Sequence, residues 1–249
     1  MTNKSSVMPL TKINSDELTD RVLVVGDPAR AAKAAELLEE SCVLAKSREY
    51  HSYRGYWKDT EITVVSHGIG ASGAACCFEE LCRAGAKVII RSGTAGGLQP
   101  DIDSGDVVVA LASVREDGLT ASLVPDRYPA IADIDTVIKI REALKNFNKD
   151  YSEGVVLTQS SFYPFKFFDN VQPLWRDAGV VAVEMEIAAL FIVCSLNNVK
   201  AGALVAIDGN PLLQKDENMA NYDPYTNSVG DAVKICLRAS LDALAASEI

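Results

Sequence analysis

The sequence predicts a single α/β domain, a three-layer sandwich in which helices flank a mixed central β-sheet. Strand-like apolar runs alternate with helix-like amphipathic stretches along the whole chain, the pattern of an α/β sandwich. Two alternating runs at 50–57 and 61–66, separated by Lys58-Asp59-Thr60, read as a hairpin, so the sheet is mixed rather than wholly parallel. The 249 residues are 48% hydrophobic and 23% charged, enough for one sizeable core. No repeat, low-complexity tract or linker divides residues 1–249.

Residues 21–26 (RVLVVG) read as a β-branched strand closed by glycine, and Pro28 suits the first turn of a helix over 29–39. A short strand around 42–45 precedes the hairpin. His67-Gly68-Ile69-Gly70 breaks the sheet pattern, and 72–84 is helical with its small and apolar residues on one side. Val88-Ile89-Ile90 is a short buried strand that ends in Arg91, followed by a hydroxyl residue among glycines. Residues 106–116 form a long valine-rich strand, and 125–129 is a turn-rich loop. The helix over 133–146 carries Ile134, Val137, Ile138 and Leu144 as its apolar stripe. A buried strand at 154–158 leads into an aromatic loop, 161–168. A strand at 180–183 runs into Glu184-Met185-Glu186 and a helix over 187–197, and a strand at 200–207 ends in Asp208-Gly209-Asn210-Pro211. A polar loop, 214–227, precedes the last helix, where Val229, Val233, Cys236, Leu237, Leu241 and Leu244 share one face.

A net charge of -10 argues against nucleic acid or an anionic membrane as the main partner. Phosphate remains possible where the basic side chains converge. The six cysteines (Cys42, Cys76, Cys77, Cys82, Cys194, Cys236) contain no CxxC pair and read as reduced core residues, not as disulfides or a zinc site. With two histidines, His51 and His67, no His-rich metal centre is expected. The first residues lack the apolar run of a signal peptide and no stretch approaches a membrane span, so a cytoplasmic protein is expected.

The polar features fall at strand ends, where open α/β sheets bind ligands. Arg30, Arg48 and Arg91 stand at strand-to-loop positions. Singly, each fits a solvated or structural arginine; together with Gly26 and Thr94 they would make an oxyanion cradle. Glycines after Arg91 would let backbone N–H groups approach an anion, although an ordinary tight turn accounts for them equally well. No GxxxxGK[ST] is present, which excludes a P-loop nucleotide hydrolase. Glu184 and Glu186 suit either a helix N-terminus or the hydroxyls of a sugar, with the Met185 thioether against the sugar face. Asp208 suits a turn before Gly209 or a proton donor at the mouth of the sheet. Phe162 and Tyr163 offer aromatic faces for a planar ligand or simple packing.

The strings VVGDPAR, SREY, SHGIGASG, KVIIRSGTAGGL, SSFYP, VAVEMEIAAL and AIDGNP occur in the order seen in the nucleoside phosphorylase-I family. Over nearly the whole chain the sequence resembles the hexameric purine nucleoside phosphorylases, above all the apicomplexan type, with uridine phosphorylases as near relatives. The resemblance implies that Gly26, Arg30, Arg91 and Thr94 hold phosphate, and that Arg48 completes a neighbouring subunit's phosphate site. It implies that Glu186 holds the ribose 2′ and 3′ hydroxyls, with Met185 and Glu184 lining the same pocket. Tyr163, Phe162 and Val183 would flank the base, and Asp208 would protonate purine N7. Catalysis would then fall to Asp208, Arg91 and Glu186, with inorganic phosphate as co-substrate and no metal or organic cofactor. A homohexamer, a trimer of dimers with shared sites, in purine salvage is the implied setting.

Two positions depart from that pattern. Leu10 stands where the family places a histidine that contacts the ribose 5′-hydroxyl, which implies tolerance of 5′-deoxy or 5′-methylthio nucleosides. Gln214 and Lys215 stand where the apicomplexan enzymes carry a tryptophan. Against a uridine phosphorylase, Phe165-Lys166-Phe167-Phe168 lacks the glutamine and arginine that read uracil; against a nucleosidase, the arginines would have no task. A nucleoside-binding protein without catalysis is the reading from another class.

Overall fold

The computed structural model describes residues 6–163, 167, 169–212 and 226–249. Arg21–Val25 (β1) leads to Pro28–Ala35 (α1), whose N-terminus is capped by the Asp27 side chain accepting the Ala29 N–H at 2.8 Å. This helix is shorter than the sequence suggested, because Leu37 and Leu38 donate back to Ala34 and Ala35 in tight turns before Glu39–Ser47 (β2) begins. Tyr50–Trp57 (β3) pairs antiparallel with both β2 and Thr60–Ser66 (β4), so the expected hairpin extends into a three-stranded meander. Ala71–Ala84 (α2) ends at left-handed Gly85 and delivers Val88–Gly97 (β5).

Val107–Glu116 (β6), Thr120–Leu123 (α3) and the short Ala130–Ile131 (β7) follow. Ile134–Lys145 (α4) is capped by Asp133, which accepts the Thr136 N–H. Its buried face is Val137, Ile140, Ala143 and Leu144, whereas Ile134 (76% exposed) and Ile138 point outward. The expected stripe is therefore rotated: 134, 137 and 138 also share a helical face, but the buried face is centred on 136, 137, 140, 143 and 144, where Thr136 and Ala143 fill the side toward the core. Ser152–Gln159 (β8), Gln172–Asp177 (α5), Ala182–Glu184 (β9), Ile187–Leu196 (α6), Lys200–Gly209 (β10) and Asn227–Ala245 (α7) complete the chain. The apolar face read for the last helix is the one that packs down, Val229, Cys236, Leu237, Leu241 and Leu244 all being buried.

The strands form one mixed sheet in the order β10-β6-β8-β9-β5-β1-β4-β3-β2, with β7 beside β6. Because β10 also pairs with β5, the strands β5, β10, β6, β8 and β9 close into a ring. Helix α7 lies along β1, β5 and β10 with α4 beside it, and α2 packs on α6. Residues 187–194 of α6 are all buried, as a helix inside the core must be. Cys77, Cys194 and Cys236 are core residues as expected; Cys42 and Cys76 are exposed, so the all-core reading of the cysteines does not hold. Among the described residues no helix is long and apolar enough to cross a membrane.

Candidate active site

Strands β4, β1, β5 and β10 lie side by side and parallel, so their C-terminal ends open at one edge of the sheet. There β1 brings Gly26, β4 brings His67, β5 brings Thr94 and β10 brings Asp208. The His67 N–H donates to the Val25 carbonyl at 2.9 Å and the Gly68 N–H to the Gly26 carbonyl at 3.0 Å, which ties the two loops together.

Arg91 is 3% exposed within β5. Its Nη2 donates to Glu186 Oε2 and lies 3.4 Å from Glu184 Oε2. The guanidinium folds over Gly93, where any Cβ would collide with Nη1. The strand itself continues to Gly97, so the glycines are not a turn that wraps an anion. Gly93 makes room for Arg91, Gly96 for Pro211 and Gly97 for Ile102. Arg91 Nε and Nη1 are buried with no hydrogen-bond partner among the described residues. Donors left so in a low-dielectric setting are costly unless an anion takes them.

Glu186 Oε1 accepts the Gly70 N–H at 2.6 Å. Burial pushes its carboxyl up, but the charge of Arg91 with the bonds from Gly70 and Arg91 outweighs that and holds it below the usual range, His67 adding to this only when protonated. Glu184 is occupied differently. Its oxygens accept the Glu186 and Ile187 N–H groups at 2.8–3.0 Å and the Thr158 hydroxyl at 2.6 Å, so it caps α6 and aligns Glu186. Burial raises its carboxyl, Arg91 only partly offsets this, and Glu186 adds to the rise. Met185, between them, is half-buried.

Arg30, half-buried in the first turn of α1, lies within the fields of Arg91 and Asp208; burial lowers its pKa first, Arg91 second, while Asp27 and Asp208 pull it back. Asp208 is the extra residue of a β-bulge: Ile207 pairs with Ala95 and Gly209 with Gly96. A bulge re-aims the side chain it carries. Thr94 is half-buried opposite Ala206 of β10. Val183 lies against Gly96, and Phe162 meets Tyr163 edge-on at 5.1 Å, both rings being exposed. The rest of the aromatic loop at 164–166 and 168, and the polar loop at 213–225, fall outside the described residues.

Two expected residues stand apart. Arg48 has φ 56° on the β2–β3 turn, is exposed, and lies 3.6 Å from Glu49. Leu10 is half-buried against the core, its N–H held by Glu80 Oε1 at 2.8 Å. Three participants were missed: His67, the Gly70 N–H and Thr158. His67 carried a signal, a lone histidine at the end of a strand that neighbours the first.

The phosphorylase superfamily model matches residues 20–245. The chain is 36% identical over 229 residues to a purine nucleoside phosphorylase of Plasmodium falciparum, spanning 92% of this chain and 93% of that protein. It is 35% identical over 210 residues to a uridine phosphorylase of Haemophilus influenzae, spanning 80% and 83%. A crystal structure of purine nucleoside phosphorylase from Toxoplasma gondii in complex with immucillin-H superposes with a TM-score of 0.92 at 30% identity, covering 98% of both chains. Fold, strand-end cluster and sequence agree, and the chain belongs to the phosphorylase superfamily.

Proposed function

We propose that the protein is a purine nucleoside phosphorylase, a pentosyltransferase that cleaves nucleosides such as inosine and guanosine to free base and (deoxy)ribose 1-phosphate. The observation that carries this is Arg91: a buried guanidinium that pairs with a carboxylate on one side and has unpartnered donors on the other. Such a group joins two substrates, an anion on its free donors and a polyol on Glu186. Phosphate then attacks the anomeric carbon as the glycosidic bond loosens. Its negative charge stabilises the oxocarbenium-like transition state, Glu186 orients the hydroxyls, and Asp208 donates a proton to N7 of the departing base. Arg48 acts on a neighbour's site in a homohexamer, and purine salvage in the cytoplasm is the setting. The reaction needs no metal or organic cofactor.

The similarity to a uridine phosphorylase supports a second reading, release of uracil. Purines are favoured by Asp208 and by the sequence Phe165-Lys166-Phe167-Phe168, which offers no amide or guanidinium to a pyrimidine. The test is cleavage of inosine and uridine, each with and without inorganic phosphate. Phosphate-dependent hypoxanthine release with little uracil supports the proposal. Comparable uracil release overturns purine specificity, and cleavage without phosphate overturns phosphorolysis.

A further inference from the structure

His67 is fully buried at the end of β4, its ring edge-on to Phe78 at 5.2 Å. Its Nδ1 lies 2.8 Å from the Gly68 carbonyl, which can only accept, so Nδ1 carries the proton and Nε2 the lone pair. Nε2 is buried with no hydrogen-bond partner among the described residues. The ring edge at Cε1, next to Nε2, lies 3.9 Å from where a Cβ on Gly26 would stand. Arg91 and Arg30 both act on the imidazole, and with burial they keep it neutral, its pKa pushed down to about 4.

The guanidinium groups of Arg91 and Arg30 are the donors on this side. The acceptors near them are the Asp208 carboxylate, the Gly68 carbonyl, which already receives Nδ1–H, and His67 Nε2, the buried acceptor with no partner among the described residues. Hydrogen phosphate has complementary chemistry. At neutral pH it offers oxygens to donors and keeps one proton on an oxygen, which needs an acceptor. Sulfate has the same shape and no such proton, so a lone pair would face an oxyanion. Each carboxylate oxygen of Glu186 already accepts one bond, from Gly70 or Arg91, and in the proposed function its remaining lone pairs go to the sugar hydroxyls.

We propose that His67 Nε2 accepts the P–OH of bound hydrogen phosphate and so makes the anion site select phosphate over sulfate. This rests on the reading of the Arg91 cluster as a phosphate site. With its P–OH held on His67, the anion keeps its deprotonated oxygens for the arginines and for attack on the sugar.

The test is calorimetric binding of phosphate, arsenate and sulfate at pH 7.5 without nucleoside. Phosphate and arsenate, which both carry the proton, are expected to bind at least about tenfold tighter than sulfate. His67→Asn keeps a donor near Nδ1 for the Gly68 carbonyl but removes Nε2, and His67→Phe keeps the ring. Both are expected to lose about tenfold in phosphate affinity while sulfate affinity holds. Equal wild-type affinity for the two anions overturns the proposal. So does an equal loss for both in the variants, which would mean that His67 only orients Arg91. Should the variants not fold, the ¹⁵N resonance of His67 Nε2 decides, with two histidines in the chain to assign. It is expected to move with phosphate and not with sulfate, and an unmoved resonance overturns the proposal. Phosphate selectivity without nucleoside cleavage would sink the proposed function and leave this inference standing; binding of neither anion sinks both.

Discussion

The guanidinium of Arg91 folds back over the α-carbon of Gly93, two residues further along the same strand, and only glycine leaves room for it. Gly93→Ala is therefore expected to turn Arg91 out of its pocket and strand Glu186 as an uncompensated buried carboxylate. A stability loss of about 3–5 kcal/mol in denaturant unfolding, with phosphate-dependent turnover abolished, is the expected outcome. A variant with wild-type kcat/KM would show that the arginine has another place to go.

Glu186→Gln keeps the shape of the side chain and removes its charge. Nucleoside kcat/KM is expected to fall about 100-fold, since hydrogen bonds from hydroxyls to a charged acceptor contribute about 1.5–3 kcal/mol. The cluster loses a negative charge, so phosphate KM should stay level or fall. Steady-state kinetics with each substrate varied in turn separates the two effects.

Asp208→Asn removes the proton and leaves the bulge. Inosine kcat is expected to drop about 10²- to 10⁴-fold, the usual range for a general acid, with phosphate binding nearly unchanged. An unaltered kcat counts against proton donation.

His67 gives the fold a pH dependence of known sign. Its folded pKa of about 4 lies below the ordinary 6.5, burial being the main cause, Arg91 and Arg30 adding to it, Glu186 and the Gly68 carbonyl opposing. The unfolded chain therefore binds the extra proton first. The stability is complete above pH 6.5 and is lost as pH falls toward 4, a difference of about 3 kcal/mol. Urea unfolding of wild type and His67→Asn across that range should show the wild type losing this much more than the variant.

Glu80 holds the N-terminal segment in place. Its carboxylate accepts the Leu10 N–H, the Thr11 N–H and the Thr11 hydroxyl, each at 2.8 Å. Glu80→Ala orphans those donors at a cost of about 1–3 kcal/mol each where they stay buried. Faster proteolysis near Leu10, read by mass spectrometry, is the expected sign.

Much of this was legible in the sequence because local chemistry matched local structure. The strand ends at Gly26 and Asp208 could be found from β-branched runs, and the last helix from its spacing. The errors came where the reason was tertiary. The glycines after Arg91 read either as an anion loop or as a tight turn, and they are strand: a sequence does not reveal that an arginine lies across its own strand. Ile134 and Ile138 looked like core because hydrophobicity alone does not set a helix's rotation when Thr136 and Ala143 can fill the buried side. His67 passed unassigned because its partners come from β1, β5 and the start of α6, far apart in the chain.

The closed ring of strands has one more consequence. Arg91 hangs from a strand paired on both sides, Glu186 from the start of a helix whose residues 187–194 are all buried and Asp208 from a strand bulge, whereas Phe162 and Tyr163 sit on a loop. Under the proposed reading, the residues assigned to anion, sugar and proton donation cannot shift without the sheet, while the aromatic loop assigned to the base can be rewritten residue by residue. A laboratory seeking new leaving groups would leave the strands alone and randomise the loops, keeping one reaction while exchanging what departs from it.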